Sequence, residues 1–168
     1  MALKGNKYGI HRVIEPQGVL TQAAKKIDND MTKLYSNEII CDVSALNVDS
    51  ASFHQISEAC GDDEEKIGRM IMDIVDERGK MQNPVTNSGG MFIGTVAYIG
   101  EDLDIDLKVG DKIASLVSLS MTPLKIDEIK AVHKDIDRVD ITGKAVLFET
   151  ALYAKLPEDM SEALALAA

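Results

Sequence analysis

The stretch GTVAYIGEDLDIDLKVGDKIASL, residues 94–116, joins two apolar, strand-like runs through an acidic loop and a Val-Gly-Asp-Lys turn. Gly94 lets a neighbouring backbone approach closely, and Gly100 and Gly110 can take the positive φ angles that tight turns require. Asp111 can form a hydrogen bond within its own turn. The stretch therefore predicts two twisted strands that pair antiparallel around a long loop.

Strand-like patterns also dominate the rest of the middle of the chain. Segments 38–46, 92–99, 112–119 and 144–152 alternate well enough for half-buried strands, and each is bounded by Gly, Asn or Asp. Several such strands can form a small barrel. We therefore predict a mainly β fold with α-helical insertions, although this pattern alone does not separate the families that share such a barrel.

Two segments instead show helical spacing. In residues 62–80, apolar side chains recur every three or four positions behind an acidic start, and Gly79 marks the end. This pattern predicts an amphipathic helix whose apolar side packs on the core. Residues 123–139 are a weaker helical candidate, and we interpret their histidine, His133, as an ordinary surface or core residue.

Length, charge and cysteine content exclude several classes of function. A chain of 168 residues with 45% hydrophobic content can bury one good core. Its net charge of −10, with no dense Lys/Arg cluster, argues against nucleic acid as a partner. The chain has no apolar run of membrane-spanning length and no secretory signal at its start, so we expect a cytoplasmic protein that does not bind a membrane. Cys41 and Cys60 lie in no Cys-x-x-Cys arrangement and are expected to be free thiols.

The strand segments and their loops resemble the catalytic, chaperonin-10-like (GroES-like) domain of the medium-chain dehydrogenases. The resemblance lies in NEIICDVSALNVDSASF at 37–53, GGMFIGTVAYIGEDL at 89–103 and KVGDKIASL at 108–116. The ending LYAKLPEDMSEALALAA resembles the linker into that family's nucleotide-binding domain. The resemblance implies a GroES-like catalytic and substrate domain over residues 1–155 and the start of a linker over 156–168.

Within that superfamily, residues 7–28 and the loop NVDSASF resemble the family of L-erythro-3,5-diaminohexanoate dehydrogenases. The resemblance implies an enzyme of lysine fermentation whose substrate is a small diamino acid. Hydride would pass from C3 of the substrate to NAD or NADP, and hydrolysis of the imine would release 5-amino-3-oxohexanoate and ammonia.

The chain departs from the superfamily pattern in two ways. Zinc-dependent members use a Cys after the first strand and the His of a Gly-His-Glu motif, whereas this chain has no Cys in residues 47–53 and reads Gly89, Gly90, Met91 at the second position. We therefore expect no zinc. No Gly-x-Gly-x-x-Gly follows a strand, so the α/β nucleotide-binding domain is expected to lie elsewhere in a longer chain or in a partner subunit. We expect the complete protein to be a homo-oligomer.

The resemblance places the active site on the loop that follows the first long strand. We predict His54 as the catalytic base, since the reacting ammonium must lose a proton before hydride can leave. Substrate-binding candidates are Asn47, Asp49, Ser50, Ser52, Phe53 and Glu58. Ser88, Gly89 and Gly90 are expected to allow close approach of the substrate or the nicotinamide.

Each candidate also has a structural interpretation. Ser52 with Gln55 forms a capping-box pattern, and Asp49 or Ser50 could cap a short helix. His54 could be a helix-surface residue, and residues 88–90 could be a plain turn. His11 and Arg12 could bind the substrate carboxylate or belong to an edge strand.

Two other functional classes remain open from the sequence. One is a non-enzymatic chaperonin-10-like binding module, which would need no cofactor domain. The other is a zinc-independent quinone or enoyl reductase of the same superfamily. Substrate charge separates the last class from an amino acid dehydrogenase, because a diamino acid requires carboxylates in the cleft and a quinone requires apolar walls.

Overall fold

A computed structural model describes residues 3–157. Its strands are β1 (Val13–Glu15), β2 (Lys26–Ile27), β3 (Glu38–Val48), β4 (Gly90–Ile99), β5 (Lys112–Ser115), β6 (Leu124–His133), β7 (Arg138–Phe148) and β8 (Tyr153–Lys155), and its helices are α1 (Ser50–Ala59) and α2 (Glu64–Arg78). The prediction of a mainly β fold with α-helical insertions is confirmed. Of the predicted linker, residues 158–168 lie outside the described residues.

Six strands form one large sheet in the order β6-β7-β3-β4-β5-β8, and each neighbouring pair is antiparallel. Strands β1 and β2 form a separate small hairpin. The main core lies between the large sheet and the two helices, where the buried side chains of β3, β4 and β7 meet those of α1 and α2. The long central strand β3 therefore positions both helices and the loops at its two ends.

The predicted hairpin of residues 94–116 is present as β4 and β5, with Gly94 opposite Ile113. A Cβ atom on Gly94 would lie 2.5 Å from the Asp42 carbonyl oxygen, so this position admits the close backbone approach that we predicted. Gly110 has a φ of +98°, as its turn requires. The prediction for Gly100 was wrong, because its φ is not positive; it is a glycine because a Cβ would lie 2.1 Å from the Ser36 carbonyl oxygen.

The predicted amphipathic helix is α2. The Asp63 carboxylate caps its start by accepting hydrogen bonds from the backbone N–H groups of Glu65 and Lys66, at 3.0 and 3.2 Å. Gly79 ends it in the left-handed conformation, with φ +73°. The buried residues of its inner side are Ile67, Gly68, Ile71, Ile74 and Val75. The helical spacing therefore identified both the element and its buried side.

The predicted helix over residues 123–139 is wrong, since this segment forms β6 and the beginning of β7. The register between these strands shifts between Ile126 and Glu128 and again between Ile129 and Ala131. Each shift breaks the two-residue alternation of a strand and leaves apolar residues at spacings that imitate a helix. Pairing with β7 and packing against α2 override that local pattern.

A buried ion pair anchors the N-terminal segment to the start of β3. The Arg12 guanidinium, 0% exposed, donates to both carboxylate oxygens of Glu38, which is 1% exposed; Nη2 lies 2.7 Å from Oε1 and Nε 2.9 Å from Oε2. Arg12 also donates to the backbone carbonyl oxygens of Asp28 and Asp30, at 3.1 and 3.2 Å. These contacts give Arg12 a structural role rather than the substrate contact that we considered.

His11 completes this ion-pair network. Its Nε2 lies 2.7 Å from Glu38 Oε2, and its Nδ1 accepts a hydrogen bond from the Asn6 backbone N–H at 2.8 Å. Burial by itself would raise the pKa of Glu38, but hydrogen bonds from His11 and Arg12 outweigh burial and hold that pKa below its ordinary value. Glu38 is therefore a paired carboxylate in the folded protein.

Candidate functional site

The loops predicted to form the site meet at one edge of the large sheet, where β3 ends and β4 begins. Asn47, near the end of β3, lies opposite Met91 of β4 and Arg138 of β7. The Asp49 backbone N–H donates to the Gly89 carbonyl oxygen at 2.8 Å. Residues 47–50 and 88–90 are therefore in direct contact, although they are far apart in the sequence.

Asp49 is the N-cap of α1, because its Oδ1 accepts a hydrogen bond from the Ala51 backbone N–H at 3.1 Å. The capping interpretation of Asp49 is thus confirmed. Its side chain is exposed, and capping uses one carboxylate oxygen, so the other oxygen remains able to bind a cation. Capping and ligand binding are compatible at this residue.

Asp137 is a site residue that sequence reasoning missed. The Val48 backbone N–H donates to its carbonyl oxygen at 2.9 Å, and its side chain shares a hydrogen bond with the Ser50 hydroxyl. Burial, and then the negative charge of Asp49, raise the pKa of Asp137 against the effect of that hydrogen bond. The two carboxylates form a negative patch suited to a cation, and the incorrect helix prediction for 123–139 concealed it.

Ser52 and Phe53 lie inside the protein rather than at this edge, with 0% and 2% exposure. The Asn83 side-chain NH₂ group donates to Ser52 Oγ at 3.1 Å and to Gln55 Oε1 at 2.8 Å. The predicted capping box of Ser52 and Gln55 is therefore wrong, since Asp49 is the cap and both side chains bind Asn83 instead. Phe53 belongs to the main core.

His54 and Glu58 lie on the outer side of α1, where their side chains are 75% and 70% exposed. They form an ion pair one helical turn apart, with 3.2 Å between His54 Nε2 and Glu58 Oε1. The fold does not bring them into the contact that joins residues 47–50 to residues 88–90. The geometry thus favours the helix-surface interpretation of His54.

Gly89 and Gly90 have a packing reason to be glycine. A Cβ on Gly89 would lie 2.6 Å from both the Met81 carbonyl oxygen and the Ser120 nitrogen, and one on Gly90 would lie 2.1 Å from the Asn47 carbonyl oxygen. The space that these glycines leave is thus filled by the chain's own backbone. Ser88 Oγ lies 2.8 Å from Thr86 Oγ1. A role for residues 88–90 beside the nicotinamide remains a prediction.

A polar cluster adjoins this edge, and we define it as the buried Lys80, Gln82 and Ser120 together with the exposed Gln22. Lys80 Nζ donates to the Thr21 carbonyl oxygen at 2.6 Å, and Gln82 Nε2 lies 3.4 Å from the Gln22 carbonyl oxygen. Ser120 Oγ donates to Gln22 Oε1 at 2.5 Å. Because Ser120 also abuts Gly89, the cluster is continuous with the sheet edge that carries Asp49.

The cysteines are free thiols, as predicted, and burial followed by the nearby Asp42 charge raises the pKa of Cys41 to about 12. Within residues 3–157, no three His, Cys, Asp or Glu side chains are grouped so as to hold a metal ion. In the same part of the chain, no helix combines the length and apolarity needed to cross a bilayer.

Comparison with known proteins matches residues 11–157 to the family described as the L-erythro-3,5-diaminohexanoate dehydrogenase N-terminal domain. An L-erythro-3,5-diaminohexanoate dehydrogenase of Acetoanaerobium sticklandii is 68% identical over 168 residues, which cover 99% of this chain and 48% of the relative. One of Fusobacterium nucleatum is 67% identical over 167 residues, covering 98% and 48%. The chain thus spans about half the length of these curated relatives.

Among solved structures, the crystal structure of the CurK enoyl reductase aligns with 95% of this chain and 36% of that chain. The identity is 18% and the TM-score is 0.34. That similarity is too low to bear on function. The family match extends over most of the described residues, and the chain therefore belongs to the L-erythro-3,5-diaminohexanoate dehydrogenase N-terminal domain family.

Proposed function

We propose that this chain is the substrate-domain portion of an NAD-dependent dehydrogenase that oxidatively deaminates L-erythro-3,5-diaminohexanoate to 5-amino-3-oxohexanoate and ammonia in lysine fermentation. The observation that supports this most is the 68% identity to a protein of that name, extending over 99% of this chain. Since the chain spans about half of that relative, the activity is proposed for the complete protein. A cytoplasmic location and a homo-oligomeric complete enzyme remain predictions.

NAD or NADP, when bound, supplies the hydride acceptor. The residues described here fit only a wall of such a site. They contain no Gly-rich turn from a strand into a helix, and the missing side chains of Gly89 and Gly90 make room for backbone of the same chain. We therefore propose that the dinucleotide is held mainly by the remainder of the complete protein, with no zinc.

In this proposal the carboxylates of Asp49 and Asp137 hold the substrate's non-reacting ammonium. Two ammonium groups and one carboxylate make the substrate a net cation, and a chain with a net charge of −10 attracts it at long range. At short range, a hydrogen bond between an ammonium and a carboxylate contributes about 1.5–3 kcal/mol. Ser50, which is hydrogen-bonded to Asp137, would orient that carboxylate.

Replacing Asp49 by asparagine in the complete enzyme is expected to raise KM for the diamino acid by about one to two orders of magnitude, at about 1.4 kcal/mol per tenfold. Asparagine caps a helix about as well as aspartate, so α1 should be retained. Steady-state kinetics provide the measurement. Asp63→Asn is the matched control, because Asp63 caps α2 in the same manner. Unaltered KM and kcat in Asp49→Asn would restrict Asp49 to capping.

The 168-residue chain alone is expected to bind NAD no more tightly than micromolar and to turn over no substrate, whereas the complete protein should oxidise the diamino acid. Pyrophosphate recognition depends on a helix N-terminus that follows a Gly-rich turn, and the described residues lack that turn. Calorimetry with NAD and an assay of ammonia release test both statements. Submicromolar binding to the chain alone, or a complete protein that reduces quinones or enoyl substrates instead, would contradict the proposal.

A further inference from the structure

Lys80 is a fully buried amine with too few partners for a positive charge. An ammonium has three N–H donors, yet within the described residues Lys80 Nζ has one acceptor, the Thr21 carbonyl oxygen at 2.6 Å. A neutral amine needs fewer acceptors, and its lone pair remains free to accept a proton. The contacts of Lys80 therefore suit the neutral form.

Gln82, two residues further along the chain, carries a buried acceptor without a partner in the described part of the chain. Its side chain is 3% exposed, and its Oε1 has no hydrogen-bond partner among the described residues. Its Nε2 is already engaged, at 3.4 Å from the Gln22 carbonyl oxygen and 3.3 Å from that of Asn87. An orphaned buried carbonyl of this kind costs about 1–3 kcal/mol unless a donor reaches it.

Both side chains contact the loop of residues 20–24, and this loop also borders a cavity. The cavity has a volume of about 190 Å³ and is lined by Leu20, Thr21, Gln22, Met121, Phe148 and Ala151, among others. Thr21 therefore borders the cavity and also contacts the Lys80 amine. A cavity of about 150 Å³ can admit benzene, so this one has room for part of a small organic molecule.

We propose that Lys80 and Gln82 bind the reacting amine of the substrate: the Lys80 amine removes a proton from the substrate ammonium, and Gln82 Oε1 accepts a hydrogen bond from the amine that results. This inference rests on the proposed function, because it names the proton acceptor of that reaction. The proton and its charge pass from the substrate nitrogen to Lys80 Nζ, and the substrate nitrogen regains the lone pair that would assist loss of hydride from C3 once NAD or NADP is bound. Access requires the loop of residues 20–24 to move away from Lys80.

The electrostatic surroundings agree with this role. Burial, followed by the neighbouring Arg78 charge, lowers the pKa of Lys80 to about 7. A general base is most effective when its pKa lies near the working pH. The three histidines are placed elsewhere: His11 is bonded to Glu38 and Asn6, His54 is exposed on α1, and His133 is paired with Asp140 at 2.8 Å.

The test uses the complete enzyme, with NAD and L-erythro-3,5-diaminohexanoate. Lys80→Met should lower kcat by about 10²- to 10⁴-fold with little change in KM, remove the acid limb of the pH profile of kcat/KM, and regain part of its rate when methylamine is added. Gln82→Leu should raise KM about tenfold. Lys26→Met, which changes an exposed lysine of β2, is the matched control and should behave as the unsubstituted enzyme.

Three results would overturn the proposal. They are a kcat of Lys80→Met within threefold of the unsubstituted enzyme, a lower kcat with an unchanged acid limb and no rescue by methylamine, and an unaltered KM in Gln82→Leu. If the unsubstituted complete protein does not oxidise the diamino acid, the proposed function fails instead. Binding of the amine at Lys80 is then tested by NMR of the Lys80 side chain. Its Nζ and Cε chemical shifts should change when the diamino acid is added, and unchanged shifts would contradict the proposed amine site.

Discussion

Replacing Glu38 by glutamine is expected to lower the free energy of unfolding by about 3–5 kcal/mol. The substitution keeps the shape of the side chain but removes the charge that neutralises Arg12, whose guanidinium is 0% exposed. An uncompensated buried cation costs more than the pair contributes, because the folded protein cannot hydrate it. Urea unfolding followed by circular dichroism measures the loss.

The control for this prediction is Lys33→Met. Lys33 and Asp28 form an ion pair in the same region, with 2.6 Å between Nζ and Oδ2, but the Lys33 side chain is 47% exposed. Its removal should cost less than about 1 kcal/mol. The double variant Arg12→Met, Glu38→Leu should lose less stability than Glu38→Gln, because no buried charge is left alone. Equal losses in Glu38→Gln and Lys33→Met would contradict the role assigned to the buried pair.

Replacing Lys80 by methionine is expected to raise the free energy of unfolding at pH 6 and to raise it less as the pH increases. The folded protein holds the pKa of Lys80 near 7, whereas the ordinary value is 10.5, so the unfolded chain binds more protons between these values. The contribution of Lys80 to the stability of the unsubstituted protein therefore rises with pH through this window. The penalty below pH 7 is on the order of 4–5 kcal/mol, and methionine, which carries no charge, avoids it.

Denaturant unfolding at several pH values between 6 and 10 measures this effect as a difference between Lys80→Met and the unsubstituted protein. Lys26→Met serves as the control again, since an exposed lysine should show no such difference. A stability difference that stays constant with pH would mean that Lys80 remains charged in the folded protein. This measurement needs no catalytic activity, so it tests the state of the buried amine separately from its proposed role in deamination.

Local signals were sufficient where an element carries its own boundaries. Helix α2 has an acidic cap at Asp63, an apolar stripe at helical spacing and a glycine at position 79, and each of these acts within a few residues. The β4–β5 hairpin was predictable for the same reason, since Gly110 and Asp111 determine their own turn. Strand β6 was not, because the two register shifts opposite β7 depend on a partner that lies later in the chain.

Some residues of the candidate site were also predictable from the sequence, and others were not. The loop after β3 and residues 88–90 were both predicted to belong to the site, and Asn47 does lie opposite Met91 at the start of β4, which brings Asp49 beside Gly89. Sequence reasoning also selected His54 and Glu58 because of their chemistry. Helix α1 begins after Asp49, and its geometry places both side chains in solvent. The residue types alone do not reveal which side of the helix faces solvent, because this depends on which residue caps the helix.

By itself, the sequence determined the mainly β fold class, the amphipathic helix, the family and the loop that follows β3, since these depend on periodicity, turn chemistry and local motifs. Only the tertiary structure placed Asp137 beside Asp49, buried the Arg12–Glu38 pair and enclosed Lys80 behind Thr21. The physical reason is that burial and charge proximity depend on contacts between distant segments. The sequence does not show whether a lysine is hydrated or is buried with one carbonyl oxygen as its acceptor. The pKa of the amine differs between these two environments.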